Sequence, residues 1–483
     1  MAAKTVIVVV RTATILLLVH GTCAGSARAQ WLDTFAEPNG VEGVVYALLV
    51  EPDGHLIVGG SFSQVGPVSA NNIARWDGEQ WHAMGDGFNS AVSALAHDDD
   101  GSIYAGGGFT ISGVATTRAI ARWTGSVWEA LGEGLLEGGM FGNNVGWVDA
   151  IAVVDSGVFA GGDFRRAGNV DARGLAFWNG AEWLPVGGGV DGYGGIDSRT
   201  DDVMSLLAHN GLLYVGGNFD VVGGEYGSIE ADTSVGFGVW DGSAWVDGPE
   251  PLAFGQPGIS VVRDLIVYDG RICGASNTQF PGSDSIACWS ETWMSPGSGV
   301  TTDPGGVFSL AADAEHLYAL GSFTVRADTS VVWLARWNGN EWLDVGGGLS
   351  TLPTDNPVLA ADDSLVYMGF SGSVEAGGVT SRGLAVWRKP TSSSTDDSEA
   401  DAFTASLFPN PFFDSIRIEV PGNSGQVKVE MFDLLGRRVL DASGSGSVVD
   451  IDTSLLRSGV YVVSVRLSQP GMYLRRAYTL VRR

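Results

Sequence analysis

Short runs of alternating apolar and polar residues, each closed by a turn-forming pair, recur along residues 30–389. The clearest block is Ile73–Gly87, in which Trp76-Asp77-Gly78 ends one β-rich run and precedes another. Asp-Gly and Asn-Gly pairs supply the left-handed backbone that a tight hairpin turn needs. The pattern therefore predicts a repeated β-hairpin. Closely similar copies of the block begin at Ile120, Leu175 and Leu334.

A second hairpin precedes each block. In the first repeat it joins Val45–Val50 to His55–Phe62 through the turn Glu51–Gly54. Each unit therefore predicts four antiparallel strands, A to D, and a unit of roughly 50 residues has the length of a propeller blade. Weaker blocks begin at Phe237 and Ile286, and a truncated one begins at Leu384. The first tryptophans of the seven blocks are Trp76, Trp123, Trp178, Trp240, Trp289, Trp337 and Trp387.

The runs Leu56–Phe62 and Ile103–Phe109 resemble delta-60 repeats, and the recurring Gly-Gly and Trp pattern resembles the kelch and galactose-oxidase propellers. Pattern and resemblance together predict an all-β chain with a seven-bladed β-propeller at residues 30–389, followed by a small β-sandwich. Glycine pairs such as Gly59-Gly60, at the end of strand B, should let neighbouring blades approach closely. Propellers have many unrelated functions, so this likeness bears on architecture alone.

The seventh repeat ends after strand C, at Trp387–Pro390, and lacks a strand D. Near the N-terminus, Gln30-Trp31-Leu32-Asp33 is similar to Glu341-Trp342-Leu343-Asp344, which belongs to a predicted strand D. Because a closed propeller leaves no long unpaired edge, we expect residues 30–35 to supply the missing strand and close the ring.

Residues 1–29 have the pattern of a secretory signal peptide. Lys4 and Arg11 are basic, an apolar run covers Ile15–Val19, and Ala27-Arg28-Ala29 has the small-x-small form of a cleavage site. The apolar run is too short to span a bilayer. Cleavage leaves Cys273 and Cys288, on neighbouring predicted strands, as one candidate disulfide; two buried free thiols are the alternative.

A change of composition marks the end of the repeats. Residues 390–402 are polar and rich in serine, which is typical of a linker. The β-rich runs within residues 403–483 predict a small Ig-like β-sandwich. They are Ser415–Val420, Val427–Asp433, Arg437–Leu440, Val448–Ile451, Gly459–Leu467 and Tyr473–Val481.

Three blocks of this C-terminal part, in their order and spacing, resemble the type A C-terminal sorting domain of the type IX secretion system. The blocks are Leu407–Phe412, Val429–Val439 and Leu456–Val465, and their motif residues are Pro409, Asn410, Pro411, Gly436, Gly459 and Tyr461. Phe408 departs mildly from the pattern, since tyrosine is more usual there. The resemblance implies a Gram-negative bacterium, the type IX machinery as a partner, and a protein that is secreted or held at the outer-membrane cell surface.

The charge of the chain limits the classes of partner that we expect. The sequence has 55 acidic and 27 basic side chains, and its net charge is −28. Nucleic acids and anionic membrane surfaces attract proteins rich in lysine and arginine, so neither is an expected partner. The predicted propeller has a single lysine, Lys389.

Sequence motifs for catalysis and cofactor binding are scarce. The sequence has no HExxH, GxSxG, P-loop or Cys-x-x-Cys motif, and no helix follows the GxGxxG match at Gly187–Gly192. Asp98–Gly101 is similar to the start of a calcium loop but aligns with the plain A–B turns of other repeats. We therefore expect no cofactor and no metal site, with calcium as the weaker alternative.

A ligand site is predicted from the strand order. Antiparallel strands place the A–B and C–D turns on one face of the ring and the B–C and D–A loops on the other, which we call the loop face. The insertions at residues 135–146, 190–202 and 221–236 fall on the loop face, where aromatic and charged side chains suit a polar ligand such as a sugar. The alternative is solvated loops without a ligand. Candidate ligand-binding residues are Trp147, Tyr193, Asp197, Arg199, Asp201, Asp202, Tyr226, Arg118 and Arg173.

Two classes of function fit these features. The first is a binding or scaffold propeller for an extracellular glycan or protein ligand. The second is a secreted carbohydrate-active enzyme whose carboxylate pair lies on the loop face. We expect the first, because the sequence identifies no catalytic residue.

Overall fold

The computed structural model describes most of the repeats and part of the C-terminal region. The predicted signal peptide (residues 1–29) and the predicted linker (residues 390–402) lie outside the described residues. Within the repeats the structure describes residues 30–137, 145–192, 202–228, 231–246, 261–277, 284–289, 292–297, 300–325, 331–345, 349 and 354–389. Beyond residue 390 they are residues 406–408, 415–419, 426–432, 438–454, 456, 459–469 and 472–482.

The described residues form strands and one short 3₁₀ turn, Asp33–Phe35, so the chain has an all-β, propeller-like fold. The N-terminal segment and first repeat contain β1 (Gln30–Leu32), β2 (Val41–Val50), β3 (Leu56–Val65), β4 (Val68–Ser69), β5 (Ile73–Trp76) and β6 (Trp81–Ala83). The second repeat and its exit contain β7 (Val92–His97), β8 (Ile103–Gly107), β9 (Ile111–Ser112), β10 (Ala115–Thr116), β11 (Ile120–Trp123), β12 (Trp128–Ala130) and β13 (Leu135–Leu136).

The third and fourth repeats carry additional short strands in their loops. The third contains β14 (Trp147–Val154), β15 (Gly157–Asp163), β16 (Arg166–Ala167), β17 (Val170–Asp171), β18 (Leu175–Trp178), β19 (Trp183–Pro185) and, at its exit, β20 (Val190–Asp191). The fourth contains β21 (Asp202–His209), β22 (Leu212–Asn218), β23 (Val221–Val222), β24 (Asp232–Thr233), β25 (Phe237–Trp240) and β26 (Trp245–Val246).

The last three repeats are followed by the C-terminal strands. The fifth and sixth repeats contain β27 (Val262–Tyr268), β28 (Arg271–Ser276), β29 (Ile286–Trp289), β30 (Trp293–Met294), β31 (Val300–Ala312), β32 (Leu317–Val325), β33 (Val331–Trp337) and β34 (Trp342–Asp344). The last repeat contains β35 (Thr354–Ala361), β36 (Leu365–Ala376) and β37 (Val379–Arg388). The C-terminal strands are β38 (Ser406–Phe408), β39 (Ser415–Glu419), β40 (Gln426–Phe432), β41 (Arg438–Ser445), β42 (Val448–Asp452), β43 (Gly459–Gln469) and β44 (Met472–Arg482).

Each complete repeat pairs its main strands in the predicted order A-B-C-D. The second repeat, for example, forms a four-stranded sheet in the order β7-β8-β11-β12. The first and last repeats share one nine-stranded sheet, because β2 pairs with β36 through Val44 and Ser371. This order places the tight turns and the longer loops at opposite ends of every sheet.

Paired tryptophans hold each C–D hairpin and tie it to the preceding repeat. Trp123 lies opposite Trp128, with ring centroids 5.1 Å apart. The indole Nε1 of Trp128 donates to the carbonyl oxygen of Met84, in the first repeat, at 3.0 Å. Trp183 donates in the same way to Leu131 at 2.8 Å. The repeated tryptophans are therefore packing residues between repeats, some fully buried, as is Trp128, and some partly buried, as is Trp123.

Glycines at the end of strand B allow close contact between neighbouring repeats. A Cβ atom added to Gly106 would lie 2.4 Å from Cγ1 of Val148, in the next repeat. Gly369 of the last repeat has the same relation, also at 2.4 Å, to Val45 of the first. Each inner strand contacts the inner strand of the next repeat, and the last contacts the first. In order, these strands are β2, β7, β14, β21, β27, β31 and β35.

The N-terminal segment joins the last repeat as expected, but as a shorter strand. β1 pairs antiparallel with β37, and Trp31 lies opposite Trp387. Residues 33–35, predicted as part of this strand, instead form the 3₁₀ turn. The turn buries Phe35, whose ring lies 5.3 Å from that of Trp76.

The C-terminal strands form two sheets, β38-β39-β42 and β41-β40-β43-β44. Ile416 and Ile451 of the first sheet share a buried apolar cluster with Val429 and Val463 of the second. The predicted runs correspond to β39–β44, although β41 extends to Ser445. β38 was not predicted, because its three residues are too few for an alternating pattern.

Candidate functional site

The insertions on the loop face are partly ordered into small sheets that link neighbouring repeats. β13 leaves the second repeat and pairs with β16 of the third, and β20 leaves the third and pairs with β23 of the fourth. Each of these pairs continues into a hairpin, β16–β17 or β23–β24. The described parts of the insertions are therefore hydrogen-bonded structure rather than free loops.

Trp147 and Asp202, both predicted site residues, are brought together by a third residue. The indole Nε1 of Trp147 donates to Oδ1 of Asp149 at 2.9 Å. The Asp149 carboxyl group is also hydrogen-bonded to that of Asp202, across the contact between the third and fourth repeats. The indole ring of Trp147 covers Gly108 of the second repeat, where an added Cβ would lie 2.2 Å from Cζ3.

Burial changes the titration of the Asp149 carboxyl group in this pair. Burial raises the pKa of Asp149 well above its ordinary value, and the negative charge of Asp163 raises it further, while hydrogen bonds from Trp147 and Asp202 oppose the rise. A hydrogen bond between two carboxyl groups requires one proton. It also brings them closer than the separation of about 5–5.5 Å found in retaining glycosidases, so this pair lacks the geometry for glycoside hydrolysis.

Tyr226 and Arg173 lie in a second group, around the buried carboxylate of Asp191. The backbone N–H of Tyr226 donates to Oδ2 of Asp191 at 3.0 Å, while the tyrosine itself is 41% exposed. Arg173 pairs with the neighbouring Glu225 at 3.6 Å, and Arg165 lies 3.6 Å from Asp191. An exposed aromatic ring beside fixed charges is the arrangement predicted for a polar ligand.

The remaining predicted residues do not join these groups. Arg118 donates from Nη1 to the carbonyl oxygen of Glu133 at 3.3 Å, within its own repeat and that repeat's exit. The other predicted residues of the loop face, Tyr193, Asp197, Arg199 and Asp201, lie outside the described residues.

Sequence reasoning missed Asp149 and Asp191. Asp149 lies at a bulge of an inner strand, between Val148 and Ala150, and Asp191 lies in the two-residue strand β20. For Asp149 a signal was available, because a carboxylate stands there in an inner strand. The aligned positions of other repeats carry Ser93 or Met204.

A groove of about 970 Å³, which the sequence did not predict, lies on the loop face between the first and second repeats. Its lining combines carboxylates, amides and hydroxyls with the buried rings of Phe62 and Phe88, and contains no lysine or arginine. Representative polar residues of the lining are Glu42, Ser63, Ser69, Asn71, Asp86 and Asn89.

Cys273 and Cys288, opposite one another on β28 and β29, form a disulfide. Both cysteines are buried. The bond lies in the fifth repeat and therefore joins strands B and C of a single sheet.

The acidic segment Asp98–Gly101 is a turn. The Asp98 carboxylate accepts hydrogen bonds from the backbone of Ser102 at 2.7 Å and from the hydroxyl of Tyr104 at 3.2 Å. Both of its oxygens are thus engaged within the turn and the strand that follows it.

Two stretches of the chain match known families. Residues 406–473 match the secretion system C-terminal sorting domain, and residues 51–76 match a β-propeller domain of unknown function, DUF5122. The predicted sorting domain is therefore confirmed. In the motif Gly459 begins β43 and Tyr461 is buried, while Pro409, Asn410, Pro411 and Gly436 lie outside the described residues.

Comparison with solved structures finds distant matches. The WD40 β-propeller domain of Doa1 has 9% identity and a TM-score of 0.37, over 76% of this chain and 99% of that one. The extracellular domain of the hybrid two component system BT4673 from B. thetaiotaomicron has 9% identity and a TM-score of 0.19, over 94% and 98%. No curated protein matches the chain.

The sorting domain implies passage through the type IX secretion machinery. The protein is accordingly a type IX-sorted β-propeller protein that is secreted or displayed at the cell surface, as predicted. Among the residues that the structure describes, no helix has the length and hydrophobicity to cross a membrane.

Proposed function

We propose that this type IX-sorted β-propeller protein is a binding module that takes up an extracellular glycan on its loop face. The observation that carries the proposal is the groove between the first and second repeats. Its amides, hydroxyls and carboxylates offer hydrogen bonds to a polyhydroxylated ligand, and a groove of this size admits a short oligosaccharide.

A rigid support for the groove is part of the proposal. We infer a closed seven-bladed propeller in which β1 is the last outer strand, followed by an Ig-like β-sandwich. Three observations support the closed ring: the pairing of β1 with β37, the contact of β35 with β2, and the fit of Gly369 against Val45. Rigid rings with functional loops are a common basis for binding.

Tyr226 and Trp147 extend the proposed surface toward the third and fourth repeats. The exposed ring of Tyr226 provides a stacking surface, and the nearby ion pair of Arg173 and Glu225 provides polar contacts. A protein ligand docked across the loops is the alternative partner within this proposal. The enzyme alternative gains no support from the Asp149–Asp202 pair, because its carboxyl groups are too close together.

The test is a screen of the full-length protein against glycans and polysaccharides, followed by titration of the strongest ligand. Ser63→Trp fills the groove from the exposed face of β3 and should weaken glycan binding at least tenfold. Ala181→Trp is the control, because it adds the same ring to an exposed C–D turn of the third repeat, outside the groove lining. Equal binding by both variants, or no glycan bound at all, would refute the proposal.

Tyr226→Ala separates the two parts of the loop face. If the ligand spans both, its affinity should fall several-fold in Tyr226→Ala, while the affinity of Ala181→Trp stays at the parental value. Release of reducing ends from the bound glycan would show hydrolysis and favour the enzyme alternative.

A further inference from the structure

Three side chains of the turn between β2 and β3 converge on the face opposite the loops. One carboxylate oxygen of Glu51, one of Asp53 and a ring nitrogen of His55 all lie within 4.8 Å of one another. The turn is closed by backbone hydrogen bonds, from Glu51 to His55 at 2.8 Å and from Gly54 to Glu51 at 2.9 Å. Alternate residues of the turn therefore present their polar atoms to one point.

This donor set has the chemistry of a transition-metal site. Zinc and related divalent ions accept histidine nitrogen together with carboxylate oxygen, whereas calcium and magnesium prefer oxygen donors alone. Three protein donors with further positions open to water are sufficient for a zinc ion.

Among the residues that the structure describes, the cationic side chain in contact with the cluster is Arg75, from β5. Its Nε lies 2.6 Å from Oε2 of Glu51, and its Nη2 lies 3.2 Å from Oδ2 of Asp53. Two carboxylates thus face one guanidinium, which leaves a net negative charge when His55 is neutral.

Two donor atoms of the cluster are buried and lack a well-aligned hydrogen-bond partner. Glu51 Oε2 and His55 Nδ1 are shielded from solvent, yet neither makes a hydrogen bond of good geometry. Oε2 of Glu51 has the guanidinium of Arg75 as its neighbour, and Nδ1 of His55 lies 2.9 Å from Oδ2 of Asp53. Buried oxygen and nitrogen atoms that lack such partners could instead coordinate an ion placed between them.

The sixth repeat shows how a second cation fills the corresponding position. There the turn residue Asp313 contacts both His316 and Lys389, and Lys389 comes from the following repeat. Lys389 stands two residues after Trp387. In the second repeat the residue two positions after Trp123 is Gly125, which has no side chain to offer to the Glu51 turn.

We propose that Glu51, Asp53 and His55 bind a divalent transition-metal ion of the zinc type on the turn face of the first repeat. The ion supplies the positive charge that Lys389 supplies in the sixth repeat, and water completes its coordination. Arg75 acts as the competing cation and must withdraw from Asp53 when the ion binds. The site is independent of the proposed glycan groove, which lies on the opposite face.

The first test is a titration of the untagged full-length protein with Zn²⁺ in competition with a fluorescent zinc chelator. One ion should bind per chain, and His55→Gln should weaken binding at least tenfold. His82→Gln is the matched control, because His82 lies in the same repeat and pairs with the single carboxylate of Asp77 at 2.6 Å. If His55→Gln and His82→Gln bind zinc alike, or if the parent binds none, the proposal is wrong.

A second variant distinguishes metal binding from a structural role. Arg75→Gln removes the competing cation while leaving all three donors, so zinc affinity should rise several-fold. Loss of fold would lower the affinity instead, and circular dichroism of the metal-free variants checks their folding. Zinc affinity that is unchanged or lower in folded Arg75→Gln would contradict the proposed competition, and excess Ca²⁺ that displaces the zinc would contradict the assigned metal class.

Discussion

At the scale of single residues, hydrogen bonds from inner strands link consecutive repeats around the axis. The hydroxyl oxygen of Ser205 accepts from the backbone of Leu265 at 3.0 Å, and that of Ser309 accepts from Leu359 at 3.1 Å. Between them in sequence, Asp264 accepts from Leu310 at 2.8 Å and from the Ser309 hydroxyl at 3.0 Å. A carboxylate thus occupies a position that serine occupies in two other repeats.

This substitution gives the protein a pH-dependent term in its stability. Burial raises the pKa of Asp264 to about 6, against the hydrogen bonds that it accepts. Because its folded pKa lies above its unfolded value of about 3.9, the folded state holds the proton more tightly, and stability falls as pH rises through that interval. The loss amounts to about 1–3 kcal/mol.

Asp264→Ser should remove this term, because serine keeps the oxygen acceptor and does not titrate in this range. We expect the free energy of unfolding of the parent, relative to the variant, to decrease by about 1–3 kcal/mol between pH 4 and pH 7. Urea unfolding at a series of pH values measures it. A difference between parent and variant that stays constant across the series would show that Asp264 does not titrate as described.

Individual site residues were predicted to different degrees, for a physical reason. Repetition made the core tryptophans evident, and an exported chain with two cysteines on neighbouring strands suggested their pairing. Asp149, by contrast, acquires its role from Asp202 in the next repeat. His55 likewise becomes a metal-ligand candidate only when the turn brings Glu51 and Asp53 beside it. Such convergence depends on local geometry that no sequence spacing in these repeats specifies.

At the scale of elements, strand boundaries followed the turn signals closely, and the exceptions are short segments. Asp33–Phe35 leaves the strand pattern because Phe35 turns inward to pack on Trp76 and Trp81. β13 and β20 are two-residue strands that exist through pairing with a neighbouring repeat. Periodicity cannot identify strands of this length, since two residues contain no complete alternation.

The end of β37 is fixed by a buried ion pair to another repeat. Lys389 contacts the carboxylate of Asp313 and the carbonyl oxygen of Asp362, and its Nζ lies 5.1 Å from the ring centroid of Tyr318. Burial favours a neutral Asp313, but hydrogen bonds from His316 and Lys389 outweigh it and lower the pKa of this carboxyl below its ordinary range. Both side chains of the pair are almost completely buried.

Lys389→Met should therefore destabilise the protein by about 3–5 kcal/mol, because it leaves the Asp313 carboxylate buried without its cation. Unfolding in urea, followed by circular dichroism, gives the measurement. Adding Asp313→Asn removes the uncompensated charge and retains an acceptor for Tyr318, so the double variant should recover part of the loss. A single variant as stable as the parent would show that Lys389 does not fix this strand end.

At the scale of the whole molecule, the two faces of the repeat region differ in kind. The loop face carries the groove and the inter-repeat sheets, whereas the turn face carries compact clusters such as those around Glu51 and Asp313. The sequence predicted this division, because turn length depends on local residue type. It could not predict which gap between repeats forms the groove, since that depends on how adjacent loops pack.

Closure of the repeat region depends on the first residues of the described chain. Trp31 of β1 is 7% exposed and packs in one buried cluster with Trp387 and Met368 of the last repeat and Leu334 of the sixth. The next segment of the chain then accepts a hydrogen bond from Trp81 at Asn39, at 3.0 Å. In other repeats the accepting carbonyl lies one or two residues beyond strand D, as at Met84 and Gly187, and this parallel supports the proposal that β1 is the strand D of the last repeat.

Trp31→Ala should accordingly destabilise the repeat region by about 3–5 kcal/mol, the usual loss for removing a buried large aromatic side chain. The effect should exceed that of a local cavity in one respect. Loss of β1 exposes the edge of β37, so the variant should also aggregate more readily at high concentration. Gln30→Ala is the matched control, because it changes an exposed residue of the same strand and leaves the pairing with β37 intact. Thermal unfolding followed by light scattering compares the parent, Trp31→Ala and Gln30→Ala. A Trp31→Ala variant that unfolds at the parental temperature would show that β1 does not close the ring.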